Sequence, residues 1–477
     1  MEKAITARPE VSLQACPWWL PTQRVLIVLP FLFTGCSSLP SIATDPPVGA
    51  GPVVQLQGAH GPLTASQSKT TLDRLRRHGA ATDIFDHHLA REEAIVNNPL
   101  TTGNKVLLLQ DGPATYTAML AAIHAARDHI NMETFVLEDD AIGELFAQAL
   151  LDKQRNGVQV NLIHDSVGTL HTPASFFRRL SAGGVQTMEF NPVNPLQARE
   201  GWELDHRDHR KLLIVDGRIA FLGGINISGV YSGGSFSKGP RDKPATGSPA
   251  WRDTDLQLEG PVVAELQKLF LATWTAQRGE PLAPRNYFPM TVVAGREVVR
   301  AVGSSPDEPV SQMYATLLSA IASARTSVHM TNAYFVPDPQ LLAALEAAAR
   351  RGVDVTLILP SQSDSSLALQ AGRSHYEDLL ETGVKIFERS DVILHCKTAL
   401  IDGVWATVGS TNLDWRSFLH NQELNAVVLG QDFGRQVQAM FDKDLAASEE
   451  ITADRWAHRP LEVRIKERLA RVWEYWL

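Results

Sequence analysis

Two histidines, His209 and His395, each begin the same spaced set of polar residues. In both copies a lysine follows the histidine by two positions, an aspartate by seven and an asparagine by seventeen. A pair of small residues, Gly-Gly in one copy and Gly-Ser in the other, stands just before the asparagine. The polar residues that follow the histidines are Lys211, Asp216 and Asn226 in the first set and Lys397, Asp402 and Asn412 in the second.

The residue types in this pattern suit displacement of a group at phosphorus. A histidine and a lysine two positions apart on a strand point to the same face. Two lysines and two asparagines can bind the oxygens of a phosphoryl group. One histidine can attack phosphorus while the other protonates the leaving oxygen, and these roles need groups on opposite sides of the reacting atom. The duplication therefore predicts two similar halves that meet over one phosphorus atom.

The sequence around each motif is also repeated, which argues for chemistry over chance. A single His-x-Lys strand would ordinarily be surface polarity, because short motifs recur without function. Here Tyr116–Phe135 corresponds to Tyr314–Phe335, and Gly143–Asp165 corresponds to Leu341–Pro360. Each of these segments is predicted to be a helix followed by a strand. Each half is expected to be β-α-β-α-β, which predicts an α/β fold. The predicted segments are a first lobe at 76–290, a second lobe at 291–450 and an amphipathic tail at 451–477.

The repeated HxKxxxxD pattern, with its small-residue pair and asparagine, resembles the signature of the phospholipase D superfamily. Within that superfamily, DHRKLLIVDGRIAFLGGINIS and VGSTNLDWRSFLHNQELNAVV resemble bacterial cardiolipin synthases. The resemblance implies two pseudo-symmetric α-β-α sandwich lobes with the active site at their interface. It also implies that neither a cofactor nor a metal is needed, since lysine and asparagine would neutralise the phosphoryl charge.

The resemblance assigns roles to the motif residues. It implies that His209 is the nucleophile that forms a phosphatidyl-histidine. His395 would be the general acid and then the base that activates the acceptor hydroxyl, although the sequence alone does not order the two histidines. The groups that would hold the phosphoryl oxygens are Lys211, Asn226, Lys397 and Asn412.

Four acidic residues accompany the motifs. Glu423 matches a family acid that orients the motif histidine, and alignment of RDTDLQLEG with QELNAVVLG makes Asp253 its counterpart. A solvated loop acid is the alternative interpretation of Asp253. Asp216 and Asp402 complete the catalytic motif of the family, but an Asp-Gly pair is expected to fix a hairpin turn rather than to touch substrate.

Cardiolipin synthesis is the function that the resemblance implies, with a phosphatidyl group moving from a donor phospholipid onto phosphatidylglycerol. Hydrolysis of phospholipid is the alternative, because the motif does not choose between water and a lipid hydroxyl as acceptor. A nuclease of the same superfamily is a weaker alternative, since a net charge of -9 disfavours a nucleic-acid partner. A scaffold with a dead site conflicts with two intact motifs.

The N-terminus predicts export and lipid anchoring. Arg24 precedes the apolar run Val25–Phe33, which is too short to cross the ~30 Å hydrocarbon core of a bilayer as a helix. FTGC then resembles a bacterial lipobox, which predicts a signal peptide at 1–35, lipidation of Cys36 and a tether at 36–75. A short membrane-inserted or buried segment is the alternative. The resulting prediction is a membrane-associated enzyme, lipid-anchored on the periplasmic side of a bacterial cell envelope.

The predicted tail, 451–477, combines arginine and lysine with tryptophan, tyrosine and leucine at helical spacing. Such a segment suits the interface of a membrane, where amphipathic aromatic and basic side chains collect. Packing against the second lobe is an equal alternative, because an aromatic stripe on a helix usually faces a core. The sequence leaves both open.

Overall fold

The chain enters the fold through a hairpin and a helix. The computed structural model describes residues 54–77, 82–194, 196, 202–235 and 249–477. The first elements are β1 (Gln57–Gly58), β2 (Gly61–Pro62), α1 (Ala65–Arg77), a π-helical turn (Ile84–His88) and α2 (Leu89–Ile95). Gln57 pairs with Thr101 of the next strand, and the Leu56 side chain is fully buried. Residues 54–75 are therefore part of the fold, and the prediction of a tether is wrong for them; its remainder lies outside the described residues.

The first lobe is a mixed sheet with helices on both faces. Its strands are β3 (Thr101–Gln110), β4 (His129–Thr134), β5 (Gln159–Asp165), β6 (Gln186–Phe190), β7 (Arg207–Asp208), β8 (Leu212–Val215), β9 (Ile219–Gly223), β10 (Trp251–Arg252) and β11 (Thr254–Glu259). Its helices are α3 (Asp111–Ala125), α4 (Ala141–Arg155), α5 (Ala174–Ala182), a 3-10 turn (Gly229–Tyr231) and α6 (Val262–Ala276). The spatial order is β6-β5-β4-β8-β9-β11-β3, in which β4, β5 and β6 are parallel and the other pairs antiparallel.

The second lobe repeats this order. Its strands are β12 (Glu297–Ser304), β13 (Ser327–Asn332), β14 (Phe335–Val336), β15 (Asp354–Pro360), β16 (Lys385–Arg389), β17 (Ile393–Leu394), β18 (Lys397–Ile401), β19 (Trp405–Gly409), β20 (Leu413–Asp414), β21 (Asn421–Leu429) and β22 (Ser448–Ile451). Its helices are α7 (Gln312–Ala322), α8 (Pro339–Arg350), α9 (Ser366–Arg373), α10 (Tyr376–Glu381), α11 (Trp415–Leu419) and α12 (Gln431–Ala446), followed by α13 (Ala453–Ala457), α14 (Leu461–Arg471) and a 3-10 turn (Glu474–Trp476). The order is β22-β16-β15-β13-β18-β19-β21-β12.

The strand that carries each motif shows how the layers form. Successive side chains of a strand point to opposite faces. In β8, Leu213 and Val215 pack with α3, α4 and α5, whereas Leu212 and Ile214 pack with α6. The apolar run after each His-x-Lys is therefore buried on both sides, which confirms the predicted α-β-α sandwich.

The two lobes share one core and one continuous sheet. β3 and β12 are antiparallel neighbours, so the sheet passes from one lobe to the other. A common apolar cluster combines Leu222 and Leu256 of the first lobe with Val408 and Ala426 of the second. All the residues that the structure describes, from 54 to 477, accordingly belong to one compact unit. The motifs are held in fixed relation by this shared core.

Equivalent helices of the two lobes begin and end with equivalent residues. Asp140 accepts from the amides of Ile142 and Gly143 at the start of α4, and Asp338 caps α8 in the same way. Gly157 and Gly352, with φ of 85° and 87°, turn the chain after these helices into the next strands. The helix-glycine-strand step read from the sequence is therefore the step that the structure takes in both lobes.

One feature of the fold differs from the sequence prediction. Each lobe has an additional strand before its first helix, β3 or β12, which pairs with a strand more than 100 residues later in the sequence. Such long-range pairing has no local periodicity to reveal it. The predicted boundary at 290/291 falls in the connection between α6 and β12, and the lobe limits remain a prediction. Within the described residues, no helix is both long and apolar enough to cross a bilayer.

Candidate active site

Beside each motif histidine, a short strand of one lobe pairs with a strand of the other lobe. β7 of the first lobe runs parallel to the start of β21, and β17 of the second lobe runs parallel to β10. At the end of the first pair the amide of His209 donates to the carbonyl oxygen of Gln422 at 3.0 Å. At the end of the second the amide of His395 donates to the carbonyl oxygen of Arg252 at 2.8 Å. The next residue after each acceptor is an acid, so each histidine lies beside an acid of the other lobe.

Glu423 of the second lobe holds the ring of His209. The Nδ1 atom lies 3.1 Å from each carboxylate oxygen. The carboxylate also accepts from the Ser410 hydroxyl and, at 3.1 Å, from the Asn421 amide. Burial raises the pKa of Glu423, but the neighbouring His209 and Lys211 outweigh it and leave that pKa below its ordinary value. With Nδ1 fixed against the charged carboxylate, Nε2 of His209 is left for substrate.

Asp253 of the first lobe holds the ring of His395. Its carboxylate is fully buried and lies 2.6 Å from Nδ1 of His395. The amide of Thr254 donates to the same carboxylate at 2.7 Å. The Tyr231 hydroxyl also lies close to this ring, 3.2 Å from Nδ1 of His395. Asp253 is therefore a buried partner of the histidine and not a solvated loop acid.

The small-residue pair of each motif lies against these acids. In both copies a Cβ on the first glycine would meet a carbonyl oxygen of the neighbouring strand at 2.4 Å. A Cβ on Gly224 would stand 2.3 Å from an oxygen of Asp253. Ser410 occupies the equivalent position opposite Glu423 and donates its hydroxyl to that carboxylate. The Gly-Gly and Gly-Ser pairs therefore differ because each is fitted to its own acid.

The two lysines are buried in matching positions. Lys211 donates from Nζ to the carbonyl oxygen of His209 at 2.5 Å, and Lys397 donates to the carbonyl oxygen of His395. Nζ of Lys211 lies 5.0 Å from the ring centroid of Phe135, and Nζ of Lys397 lies 5.9 Å from that of Tyr334. Both side chains are only 2% exposed. The backbone and one aromatic ring hold each ammonium on the face that carries its histidine.

The two asparagines differ in their surroundings. Asn226 accepts from the amide of Val136 at 3.1 Å and donates to the Tyr231 hydroxyl at 3.1 Å. Asn412 lines a cavity that His209 also lines, and its Oδ1 has no hydrogen-bond partner among the described residues. Asn412 is therefore the more available of the two amides for a ligand.

A cavity of about 280 Å³ opens onto His209. It combines polar and apolar groups of both lobes, namely Phe135, Arg207, His209, Tyr334, Ser365, Ala368, Asn412, Asp414, Arg416, Asn421, Trp476 and Leu477. Its two arginines, Arg207 and Arg416, suit an anion, and burial raises the pKa of the one lining acid, Asp414, to about 7. Its aromatic and aliphatic residues suit an apolar chain. The ring of Tyr334, which lines the cavity, lies 6.1 Å from the ring of His395, so the second histidine is next to a wall of the same cavity.

Burial favours the neutral form of all four motif bases. It lowers the pKa of His209 to about 4 and that of Lys211 to about 7, and it lowers the pKa values of His395 and Lys397. Each histidine is also acted on by the lysine of the other lobe: Lys397 lowers the pKa of His209, and Lys211 lowers that of His395. The two motifs thus form one electrostatic site, and both imidazoles are neutral in it before an anion binds.

Asp216 and Asp402 lie in the hairpin turns, away from this cavity. Their φ angles are 53° and 51°, in the left-handed region that turns require. Asp216 accepts from the amides of residues 127–129, and Asp402 accepts from those of residues 325–327. Their carboxylates hold the start of β4 and of β13, as expected for residues that fix a hairpin turn, and their membership of the catalytic set stays a prediction.

Sequence reasoning missed several groups of the site. Tyr231, which contacts His395 and Asn226, follows a motif asparagine by five residues without any recognisable pattern. Phe135 follows β4 directly and Tyr334 comes two residues after β13, so the two rings serve the same purpose from different positions, and alignment of the repeats, which pairs Phe135 with Phe335, does not reveal them. Cys36 and the predicted signal peptide lie outside the described residues.

A possible metal-ligand cluster lies beside β7. Among the described residues, Asp205, His206 and His420 bring their ligand atoms within 4.8 Å of one another. His420 and Asp205 are 3.2 Å apart, and His206 lies 3.0 Å from Glu203. Nδ1 of His420 makes no hydrogen bond within the described residues, and burial lowers the pKa of His420, so its contact with Asp205 is a close approach and not a formed ion pair.

The sequence and the fold both match known proteins. A family model described as "Cardiolipin synthase, PLD-like domain" matches residues 119–231 and 317–445, which contain both motifs. A cardiolipin synthase from Geobacillus kaustophilus is 33% identical over 384 residues, covering 79% of this chain and 73% of that protein. Cardiolipin synthase A from Pseudomonas putida is 36% identical over 362 residues, covering 75% and 71%.

The fold alone is shared with a more distant protein of known structure. Phosphatidylserine synthase from Haemophilus influenzae Rd KW20 superposes with a TM-score of 0.57 at 13% identity, over 81% of this chain and 99% of that chain. The family matches, in contrast, extend over most of the sequence. The chain therefore belongs to the cardiolipin synthase family of phospholipase D-like enzymes, as its motifs predicted.

Proposed function

We propose that the chain is a phosphatidyltransferase that makes cardiolipin by moving a phosphatidyl group from a donor phospholipid onto phosphatidylglycerol. The observation that carries the proposal is the reciprocal pairing of each motif histidine with a buried acid of the other lobe, beside the cavity that His209 lines. Family membership supports the substrate class, and the mixed arginine and aromatic lining of the cavity suits a phosphodiester with apolar chains.

In the first half of the reaction, His209 attacks the donor. Its Nε2 atom forms a bond to phosphorus while the bond from phosphorus to the headgroup oxygen breaks. His395 gives its Nε2 proton to the departing oxygen, so the headgroup leaves as an alcohol. The product on the enzyme is a phosphatidyl-histidine at His209, with Glu423 stabilising the positive charge that the imidazole gains.

In the second half, the same groups act in reverse. The neutral His395 accepts the proton of a hydroxyl on phosphatidylglycerol, and that oxygen attacks phosphorus. The bond from phosphorus to His209 breaks, which releases cardiolipin and restores both histidines. Asp253 stabilises the imidazolium form of His395 in each half, as the buried carboxylate of a catalytic histidine does in other enzymes.

Binding of the phosphodiester lets His395 take up from solvent the proton that it later gives to the leaving oxygen. Burial lowers the pKa of His395 and sets that of Lys211 near 7. A phosphate placed among these groups adds a negative charge, which favours their protonated forms. Lys211, Lys397 and Asn412 then neutralise the phosphoryl oxygens as charge moves onto them. The buried site therefore becomes fully charged only when substrate is bound.

The lipobox-like FTGC supports a location at the cell envelope. Acylation of Cys36 would place the enzyme on a bilayer on the periplasmic side, next to its phospholipid substrates. Several acyl chains are needed for stable anchoring, and bacterial lipoproteins carry them. Labelling cells with radioactive palmitate tests this: wild-type protein should be labelled and Cys36→Ser should not, whereas unlabelled wild-type protein would contradict the anchor.

The products formed from phosphatidylglycerol test the proposed activity. Purified full-length chain should convert labelled phosphatidylglycerol into cardiolipin with release of glycerol. Formation of phosphatidic acid alone would identify a phospholipid hydrolase, and cleavage of DNA without lipid turnover would identify a nuclease. His209→Ala is the matched inactive control, because it removes the attacking atom and leaves the cavity open.

A further inference from the structure

Helix α14 presents an apolar stripe to the outside of the protein. Leu461, Ile465, Leu469 and Val472 recur at helical spacing and are 71%, 49%, 63% and 75% exposed. A surface helix of a globular protein normally turns such a stripe toward the core. Here the stripe lies on the opposite side from Ala470, which is buried. The arrangement is therefore the reverse of the usual one.

The packing of α14 shows that this orientation is built into the fold. Ala470 packs in a small cluster with Val336, Ala368 and Ala371. Glu467 is 1% exposed and receives the guanidinium of Arg459 at 3.0 Å. The inward face thus has its own apolar and ionic partners, whereas none of the described parts of the chain covers the outward stripe.

The stripe continues to the mouth of the catalytic cavity. Trp473 and Trp476 follow α14 and are 56% and 61% exposed. Trp476 and Leu477 are also lining residues of the cavity that contains His209. The backbone amide of Arg416 donates to the Leu477 carbonyl at 2.9 Å and holds this segment in place. The exposed apolar residues therefore continue along the chain from α14 to the cavity that contains His209.

The charges beside the stripe are mainly positive. The basic residues of α14 are Arg464, Lys466, Arg468 and Arg471, and its acids are Glu462 and Glu467. Arg459 pairs with Glu467 at 3.0 Å, Lys466 with Glu462 at 3.2 Å and Arg471 with Glu474 at 3.7 Å, so the excess of positive charge on the helix comes from Arg464 and Arg468. The whole chain in contrast carries a net charge of -9. A local excess of cations around an apolar stripe matches a surface with apolar chains and anionic headgroups.

We propose that the lipid-facing surface, formed by Leu461, Ile465, Leu469, Val472, Trp473 and Trp476, docks on an anionic phospholipid bilayer. The side chains enter the boundary between headgroups and acyl chains, while the basic residues contact the headgroups. Docking in this way sets the cavity mouth at the level of the phosphodiesters, so a lipid reaches His209 without leaving the membrane. The inference rests on the proposed function in that it takes phospholipid as the substrate.

Vesicle sedimentation with the Cys36→Ser chain tests docking without the predicted acyl anchor. The probes are vesicles of phosphatidylglycerol with phosphatidylcholine and vesicles of phosphatidylcholine alone. The variant Ile465→Gln/Leu469→Gln/Val472→Gln should bind the anionic vesicles about tenfold or more weakly than its parent. A matched control, Met290→Gln/Val292→Gln/Val293→Gln, removes equally exposed apolar residues outside the cavity and should bind as the parent does.

Activity in two substrate forms completes the test. The α14 variant should lose activity on vesicles in proportion to binding, and should keep the parent's activity on phosphatidylglycerol dispersed in detergent. Equal binding of the variant and its parent would overturn the proposal. So would a parent that dimerises through the stripe and does not bind vesicles. His209→Ala should still bind vesicles; if docking holds while no lipid is turned over by any form, the proposed function fails and the docking surface stands.

Discussion

The two halves of the active site have the same plan but different second partners. His209 meets a glutamate that a serine hydroxyl and an asparagine amide support. His395 meets a shorter aspartate at 2.6 Å, with a tyrosine hydroxyl beside the same ring nitrogen. The duplicated sequence thus supplies two similar bases, and the residues around the bases make them unequal.

The difference indicates how one repeat can serve two chemical roles. A nucleophile needs a fixed ring and a free Nε2, which the symmetric contacts between Glu423 and His209 provide. An acid that later acts as a base must gain and lose a proton in each cycle. At Nδ1, His395 has the carboxylate of Asp253 at 2.6 Å, Nζ of Lys397 at 3.0 Å and the hydroxyl of Tyr231 at 3.2 Å. Partners of both charges and a neutral hydroxyl suit a group that changes its own charge.

Removing the charge of either acid should produce the largest effect after loss of a histidine. Glu423→Gln and Asp253→Asn keep the shape of the side chain but leave the imidazolium without a carboxylate. We expect kcat to fall by about 10³-fold or more in each variant, by analogy with the carboxylate of a serine protease triad. Rapid-quench kinetics can separate the halves: Glu423→Gln should mainly slow formation of the phosphoenzyme. Equal slowing of both steps by both variants would show that the two sides are equivalent.

The small-residue positions should respond unequally. Gly224→Ala places a methyl group against Asp253, since a Cβ there would lie 2.3 Å from its oxygen, and we expect a loss of activity of about 10²-fold. Ser410→Ala removes the hydrogen bond that the hydroxyl donates to Glu423 and the one that it accepts from the amide of Leu424 at 2.9 Å, for which about tenfold is expected. Steady-state kcat and circular dichroism of both variants provide the measurement and a folding control. A Gly224→Ala variant that keeps nearly the full kcat would refute the close fit of Gly224 against Asp253.

Tyr231→Phe should sharpen the comparison with a smaller effect. The hydroxyl lies near Nδ1 of His395 and accepts from Asn226, so its loss disturbs the acid and spares the nucleophile. We expect kcat to fall by about 3- to 10-fold, with the alkaline limb of the pH profile displaced and KM unchanged. Phe135→Leu, beside His209, is a control on the other half. An unaltered pH profile in Tyr231→Phe would assign the tyrosine a packing role only.

The turn aspartates should affect stability and not chemistry. Asp216→Asn and Asp402→Asn weaken the hydrogen bonds to three backbone amides in each lobe, for which a loss of about 1–2 kcal/mol in the free energy of unfolding is expected. Activity of the folded variants should stay within about threefold of wild type, because neither carboxylate contacts the cavity. Urea unfolding and kcat measured on the same preparations test this. A large fall in kcat with normal stability would show that the aspartates belong to the catalytic set.

The sequence predicted most of the local structure but little of the reciprocity. Apolar periodicity and glycine placement were sufficient for α4, α8 and the strands that follow them. Spacing within one motif cannot tell which lobe's acid meets which histidine, because that depends on how β7 pairs with β21 and β10 with β17. The tail was similarly open from the sequence, and only the packing of Ala470 distinguishes its buried face from its exposed one.

Trapping of the covalent intermediate tests the central claim most directly. A short exposure of the enzyme to phosphatidylglycerol with a labelled phosphatidyl group, followed by acid-free denaturation and peptide mapping, should place the label on Nε2 of His209. His395→Ala should still accumulate that label when the donor has a leaving group that needs no proton, and His209→Ala should not. Label on His395, or cardiolipin formation by His209→Ala, would contradict the account.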